Sequence, residues 1–437
     1  MKKKLISFAV VTLLALGTIW GSSVPIVDAK PNDQNANNRI AKNIIFMIPD
    51  GYSTSYATNY RWYKGKKTVL DPLLVGMHRT YSANSKVTDS AAAGTAMATG
   101  VKTNNGMIST SPDGKKLKTI LEASKENGKS SGLVATSTIT YATPAVFASH
   151  VASRSSEAEI AIQMLENDVD VLLGGGKKYF PKSLLKKAEE NGYQYVTNQE
   201  ELKNVKKADK LIGLFAKEGM APELDRDETN EPSLAEMAVS AINVLKMNKD
   251  GFFLMVEGSQ IDWAGHDNDP AWAMKDSEAF ELAVEKVVEF AKNDGKTLVV
   301  IAGDHDNGGM SVGGYDKQDA NIELLRNVSA TGDFMESKLN TDRSNVKDIV
   351  KHYTSLDLTD AEVEQIKSTK TPSMAINKVV SKHAVVGWTT TAHTGVDVPV
   401  YAFGPGSHLF NGLHENIDLP VLMAEAMQIK FNPGKVK

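Results

Sequence analysis

The sequence predicts an α/β fold: a three-layer αβα sandwich with a large, mostly parallel central sheet and a helix-rich insertion near the C-terminal third. Three observations carry that prediction. Apolar, strand-like runs alternate with helical patterns along the chain. Helix boundaries carry recognisable caps, such as Ser233 followed three residues later by Glu236, and Asn127-Gly128, Asn191-Gly192 and Asp294-Gly295 as stops. Acidic residues also sit where apolar runs end, and the carboxyl ends of strands in an open parallel sheet line a ligand crevice.

Taken in order, the predicted strands are Asn43 to Ile48, Gly132 to Ser137, Val169 to Leu173, Phe252 to Val256, Thr297 to Ala302 and Val398 to Phe403. The predicted helices are Ser90 to Thr99, Lys116 to Glu126, Ser156 to Glu166, Ser233 to Met247 and Ala271 to Lys292. Residues 315–380 break the rhythm. They are polar, with short amphipathic pieces around Val346 to His352 and Thr359 to Ile366, and read as an insertion over or beside the sheet.

The chain begins outside this pattern. Lys2, Lys3 and Lys4 precede a mostly apolar stretch from Leu5 to Trp20, and Val27-Asp28-Ala29 offers small residues for cleavage. Residues 1–29 are therefore expected to be a secretory signal peptide. A membrane anchor is the competing reading, but the apolar stretch is shorter than the roughly 20 residues a span needs. Residues 30–40 are polar and aperiodic and read as a flexible mature N-terminus, leaving 41–437 as one folded domain. No later window is apolar enough to cross a bilayer. From the signal peptide, the expected location is outside the cytoplasm, secreted or associated with the cell envelope.

The 437 residues include 41% hydrophobic and 23% charged residues, enough for a large core. A net charge of −4, with no long block of one sign, gives no reason to expect nucleic acid as a partner. The absence of cysteine removes all thiol chemistry, cysteine-derived sulfatase chemistry included, and leaves core burial and bound metals to stabilise an exported chain.

Three segments carry carboxylates at strand ends. Asp50 follows Ile48-Pro49. Glu257 follows Val256 and leads into Asp262-Trp263-Ala264-Gly265-His266. Asp304-His305 follows Ala302-Gly303. If the segment after Glu257 is helical, Asp262 and His266 share a face and can bind one ion. Carboxylate mixed with imidazole suits zinc, and oxygen-only sets suit magnesium. Asp89-Ser90 opens an alanine-rich run of high helix propensity, placing the Ser90 hydroxyl at a helix N-terminus that favours an anion. A serine there is ordinarily a cap, but beside metal ligands it becomes a candidate nucleophile. Thr143 offers an oxygen to a hard cation, and Arg154 a planar fork for two phosphate oxygens. His393 precedes its strand, so the strand-end argument does not place it. His150 reads as structural, and the remaining histidines, His78 among them, have no comparable context.

Together, Ile48 to Gly51, Thr88 to Ala91, Ala142 to Pro144 with Arg154, Glu257 to His266, Asp304-His305 and His393 to Gly395 resemble the metal-dependent alkaline phosphatase family, in the family's order from about Ile44 to Gly404. The resemblance implies two zinc ions and one magnesium ion. Asp262, His266 and His393 resemble the ligands of the first zinc; Asp50, Asp304 and His305 those of the second. Ser90 resembles the nucleophile, Asp50, Thr143 and Glu257 the magnesium ligands, and Arg154 the phosphate clamp. The implied reaction is hydrolysis of small phosphate monoesters of broad range through a phosphoserine, and the implied assembly is a homodimer. Arg154 also argues for monoesters over diesters, because it would grip a second free oxygen. Tyr141 stands where other members carry Asp or His near magnesium, and Trp263 where others carry Lys or His near phosphate. The expected consequences are a weaker third metal site and faster phosphate release. A phosphate- or metal-binding protein without turnover, and a purely structural metal site, are the rival readings. The first has no need of Ser90, and the second explains neither Ser90 nor Arg154.

Overall fold

The computed structural model of the chain describes residues 40–434. The expected signal peptide and all but the last residue of the polar segment 30–40 lie outside the described residues.

Fourteen strands are formed among the described residues. β1 is Asn43–Pro49, β2 Leu74–Arg79, β3 Ser130–Thr138, β4 Val171–Gly175, β5 Tyr193–Val196, β6 Lys210–Leu214 and β7 Phe252–Gly258. β8 is Thr297–Ala302, β9 Asp306–Asn307, β10 Ser311–Val312, β11 Val386–Gly387, β12 His393–Thr394, β13 Val398–Phe403 and β14 Gly412–Glu415. Ten of them make one sheet in the order β14-β2-β13-β8-β1-β7-β3-β4-β6-β5. Every pairing is parallel except those of β13, which runs antiparallel to both β8 and β2.

The sheet is buried on both faces because successive side chains of a strand point to opposite sides. In β1, Ile45 and Met47 join one core with the helices Thr54–Lys64, Leu234–Leu245 and Pro270–Asp294. Ile44, Phe46 and Ile48 join a second core with Ser90–Thr99, Ile120–Glu126, Ala142–Ala148, Glu157–Glu166 and Asp418–Met427. This is the three-layer sandwich the sequence predicts, with a mostly parallel sheet.

Residues beyond β10 form the helices Gly332–Ser337, Val346–Thr354, Asp360–Ser368 and Pro372–Ala384. Their apolar faces, with Val350, Ile366, Ile376 and Val380, extend the first core beside the sheet. β10 and β11 pair antiparallel and draw the two ends of this segment together.

Most boundaries shift by a residue or two from the sequence reading, and larger differences have physical causes. The helix expected from Lys116 starts at Ile120, because Thr119 and Glu122 form a reciprocal capping box there. β7 continues through Gly258, so Glu257 lies inside its strand, opposite Ile48 and Ala135, and not beyond the end. In the large sheet, strands β2, β5, β6 and β14 were not anticipated. Each is short and carries glycine, charged or amide residues that break the apolar run.

Candidate active site

The proposed site residues gather at the carboxyl edge of the parallel strands. Asp50 follows β1, and a Cβ on Gly51, whose φ is +73°, would press within 3.0 Å of the Asp262 backbone. Glu257 ends β7. Asp262 and His266 lie one turn apart on the helix Gln260–His266. Asp304 and His305 follow β8. Thr143 lies in the helix Ala142–Ala148 that follows β3. His393 arrives from the other direction. Its following strand, β13, is antiparallel, so the start of β13 lies where its neighbour β8 ends. The short pairing of β12 with β9 sets His393 opposite Asn307.

Two ligand clusters result. In one, atoms of Asp262, His266 and His393 all lie within 4.8 Å of one another. His393 Nε2 is 3.5 Å from Asp262 Oδ1 and 3.3 Å from His266 Nε2, and His266 Nε2 is 3.4 Å from Asp262 Oδ2. The other nitrogens are oriented by backbone carbonyls: His393 Nδ1 lies 2.9 Å from Thr88 O, and His266 Nδ1 2.8 Å from Thr391 O. The second cluster joins Asp50, Asp304 and His305 within the same limit. His305 Nε2 lies 3.4 Å from Asp50 Oδ1 and 3.2 Å from Asp304 Oδ2. The second cluster is fully buried, whereas His266 and His393 give the first an open side. An oxygen-only group adjoins the second: the Thr143 hydroxyl is 3.3 Å from Asp50 Oδ2, and the Glu257 carboxyl faces Asp50.

The hydroxyl stands beside this pair. Asp89 is the N-cap and Ser90 the first helical residue of a helix buried along its whole length. Ser90 Oγ lies 3.2 Å from His305 Nε2. Asp89 Oδ1 accepts from Ala92 N at 2.9 Å, while its Oδ2 accepts from Gly106 N and from Arg154 Nη1, both at 3.0 Å. One carboxylate thus joins the serine's helix to Arg154. Trp263 meets Tyr141 edge to face at 5.8 Å.

The donor atoms fit cations. Asp50 Oδ1, Asp304 Oδ2 and Glu257 Oε1 are buried without a hydrogen-bond partner, and a buried carboxylate needs a positive charge or a donor. Burial, then the charges of Asp304, Asp262 and Glu257, raises Asp50 well above the usual carboxylate range. Burial raises Glu257 to about 7 and, reinforced by Asp262, Asp304 to about 6. Burial also pushes His305 well below an ordinary imidazole, helped by His393. Asp262 goes the other way: burial would raise it, but the hydrogen bond from His266 and the nearby imidazoles hold it below the usual range. Burial would lower His266, yet Asp262 lifts it to about 9. Such charge conflict is what a bound divalent cation relieves.

Several contributors carry no separate signal in sequence. Asn307 Nδ2 donates to both Asp262 Oδ1 and Asp262 O at 2.7 Å. His78, given no role from sequence, places Nε2 2.8 Å from the carbonyl of Gly303, next to Asp304. Ser137 donates to Glu257 Oε2 at 3.3 Å. His150 stays outside the site, with Nε2 3.0 Å from Glu122 and Nδ1 2.9 Å from Ser109 O.

A parallel sheet whose carboxyl edge presents a helix-borne hydroxyl, an arginine and clustered metal-type ligands fits the class of metal-dependent α/β hydrolases. The family profile described as alkaline phosphatase matches residues 41–429. Alkaline phosphatase 4 of Bacillus subtilis (strain 168) is 42% identical over 443 residues, covering 96% of this chain and 95% of that protein. Alkaline phosphatase 3 of the same organism is 42% identical over 460 residues, covering 98% of each. Among solved structures, a cold-active alkaline phosphatase from Shewanella sp. superposes with a TM-score of 0.84 at 35% identity, covering 88% of this chain and 99% of that one. A variant of the alkaline phosphatase of the Antarctic bacterium TAB5, solved with magnesium in its M3 site, has a TM-score of 0.70 at 28% identity, covering 90% of this chain and 99% of that one. The chain belongs to the alkaline phosphatase family and is a phosphomonoesterase.

Proposed function

We propose that the chain hydrolyses small phosphate monoesters through a phosphoserine at Ser90, with zinc held by Asp262, His266 and His393, a second zinc held by Asp50, Asp304 and His305, and magnesium held by Asp50, Thr143 and Glu257. The observation that carries this reading is the Ser90 hydroxyl, at a helix start, 3.2 Å from His305 in the buried ligand cluster. Magnesium in the TAB5 variant supports an oxygen-only site here. When bound, the cations lower the pKa of oxygens they touch and offset charge on the attacking and leaving oxygens.

The chain's own residues do the rest. Ser90 Oγ loses its proton and bonds to phosphorus while the substrate's P–O ester bond breaks and the departing oxygen takes a proton. Water then attacks phosphorus, the P–Oγ bond breaks and Ser90 regains its proton, leaving inorganic phosphate. Arg154, held by Asp89, and the backbone N–H groups at the start of the Ser90 helix meet the phosphoryl oxygens. Nothing in this scheme demands a particular alcohol, which agrees with a broad substrate range.

Ser90→Ala is expected to cut turnover by at least about 10³-fold while metal content stays unchanged. Acid-quenched wild type should carry labelled phosphate on Ser90. Persistent turnover in the variant removes Ser90 from the mechanism. Chelation should stop turnover, and zinc with magnesium should restore it.

We also propose that the chain works outside the cytoplasm after losing residues 1–29. No helix among the described residues is long and apolar enough to cross a membrane. N-terminal sequencing of the exported protein tests the cleavage, and sedimentation tests the homodimer that the family resemblance implies.

A further inference from the structure

We propose that Tyr141 and Trp263 form an aromatic strut that sets the approach of Arg154 to the phosphate, so that Tyr141 is a positioning residue for substrate and product binding; this rests on Arg154 being the phosphate clamp.

The strut can be followed from contact to contact. The Arg154 guanidinium carbon lies 4.7 Å from the centroid of the Tyr141 ring, within range of a cation–π interaction. The one hydrogen bond of the guanidinium group among the described residues is to Asp89 Oδ2, so the aromatic face supplies a second support for the fork. Tyr141 is itself braced. Trp263 meets it edge to face with centroids 5.8 Å apart and an interplanar angle of 84°. Trp263 in turn rests on Gly219, where an added Cβ would come within 2.4 Å of the indole ring. The segment around Gly219 is fixed to the sheet edge, because Gly176 N donates to Glu218 O at 2.7 Å and Met220 N to Thr136 O at 2.9 Å.

A guanidinium supported on its face and at one nitrogen keeps its remaining N–H groups directed outward as a pre-set fork. Without the ring it would swing about its flexible stem, and binding would have to order it each time. Trp263 also lies beside Asp262, so the strut spans the phosphate side and the first ligand cluster.

The test is a double-mutant cycle on the metal-loaded enzyme. It reads KM, kcat, inhibition by inorganic phosphate, and melting temperature. Tyr141→Leu should raise KM and the phosphate inhibition constant together by about 3- to 30-fold, the range of a partly desolvated cation–π contact. Tyr141→Phe keeps the ring and should stay within about twofold. In an Arg154→Ala background, Tyr141→Leu should have almost no further effect, a non-additivity that a merely structural tyrosine would not produce. Gly219→Ala, which adds a methyl against the indole, should push on Trp263, change its fluorescence and weaken phosphate inhibition in the same direction. If Arg154→Ala weakens phosphate binding but Tyr141→Leu does not, or if their effects multiply in full, the strut is wrong and the clamp stands. If Arg154→Ala leaves phosphate inhibition unchanged, the clamp itself is wrong and the strut falls with it.

Discussion

Asn307 braces Asp262 in the first ligand cluster, although it is not itself one of the cluster's ligands. It is fully buried, donates twice to Asp262, and accepts at its own carbonyl from the Tyr56 hydroxyl at 2.8 Å. Asn307→Leu keeps the bulk and deletes the donors. Groups that orient metal ligands typically contribute 10- to 100-fold in metal affinity, so zinc affinity is expected to fall by about that factor. Chelator competition on the purified variant measures it, and an unchanged affinity would show that Asp262 holds its orientation without help. The sequence offers Asp306-Asn307-Gly308-Gly309 only as turn chemistry, because an asparagine suited to a turn gives no sign of what its amide reaches. His78 is the same kind of case: its partner, the Gly303 carbonyl, is 225 residues away. Asp262 and His266 were legible because both lie on one helical turn, where spacing alone fixes proximity.

At the scale of elements, the helix Ser90–Thr99 was readable to its end residues, since its composition and flanking Asp89 and Gly100 say the same thing. Its packing was not readable. A Cβ on Gly94 would come within 2.9 Å of Val146 Cγ2, so this helix closes onto the helix Ala142–Ala148, which carries Thr143. Gly94→Val should therefore part the two helices and destabilise the fold by about 1–3 kcal/mol, despite better helix propensity. Urea unfolding of the metal-loaded protein tests this, and a midpoint at or above that of the wild type would contradict it. His393 shows the limit of pattern reading more sharply. No local feature announces that β13 runs against its neighbours, and direction alone decides which end of that strand reaches the site. The four unanticipated strands of the large sheet share a cause. β14 and β5 close the two edges of the sheet, and β2 and β6 adjoin them, where short, mixed segments suffice.

For the whole molecule, the ligand set sets stability against function. Without cations, Asp50, Glu257 and Asp304 are carboxyls whose pKa burial has raised, Glu257 to about 7 and Asp304 to about 6. A raised pKa means that the folded chain holds more protons than the unfolded chain between the two values. The stability linked to each carboxyl is complete below its unfolded pKa near 4 and is lost as pH rises through its folded value. His266, raised to about 9, acts in the same direction at higher pH. His305, pushed down by burial, opposes them, because losing its proton in the unfolded state near pH 6.5 removes a penalty of folding. Asp262, held low, contributes stability that is lost only in strong acid. Three carboxyls and His266 against one imidazole give the sign. Metal-free protein should melt at a lower temperature at pH 8 than at pH 5. Zinc and magnesium should restore more stability at pH 8, where the ligands are deprotonated and their repulsion is greatest. Thermal melts of chelator-dialysed and reloaded protein across that range decide the matter. A metal-free melting temperature that climbed steadily from pH 5 to pH 8 would mean that the buried carboxyls keep their protons or are paired in some other way, and the electrostatic case for a cation site among them would fail.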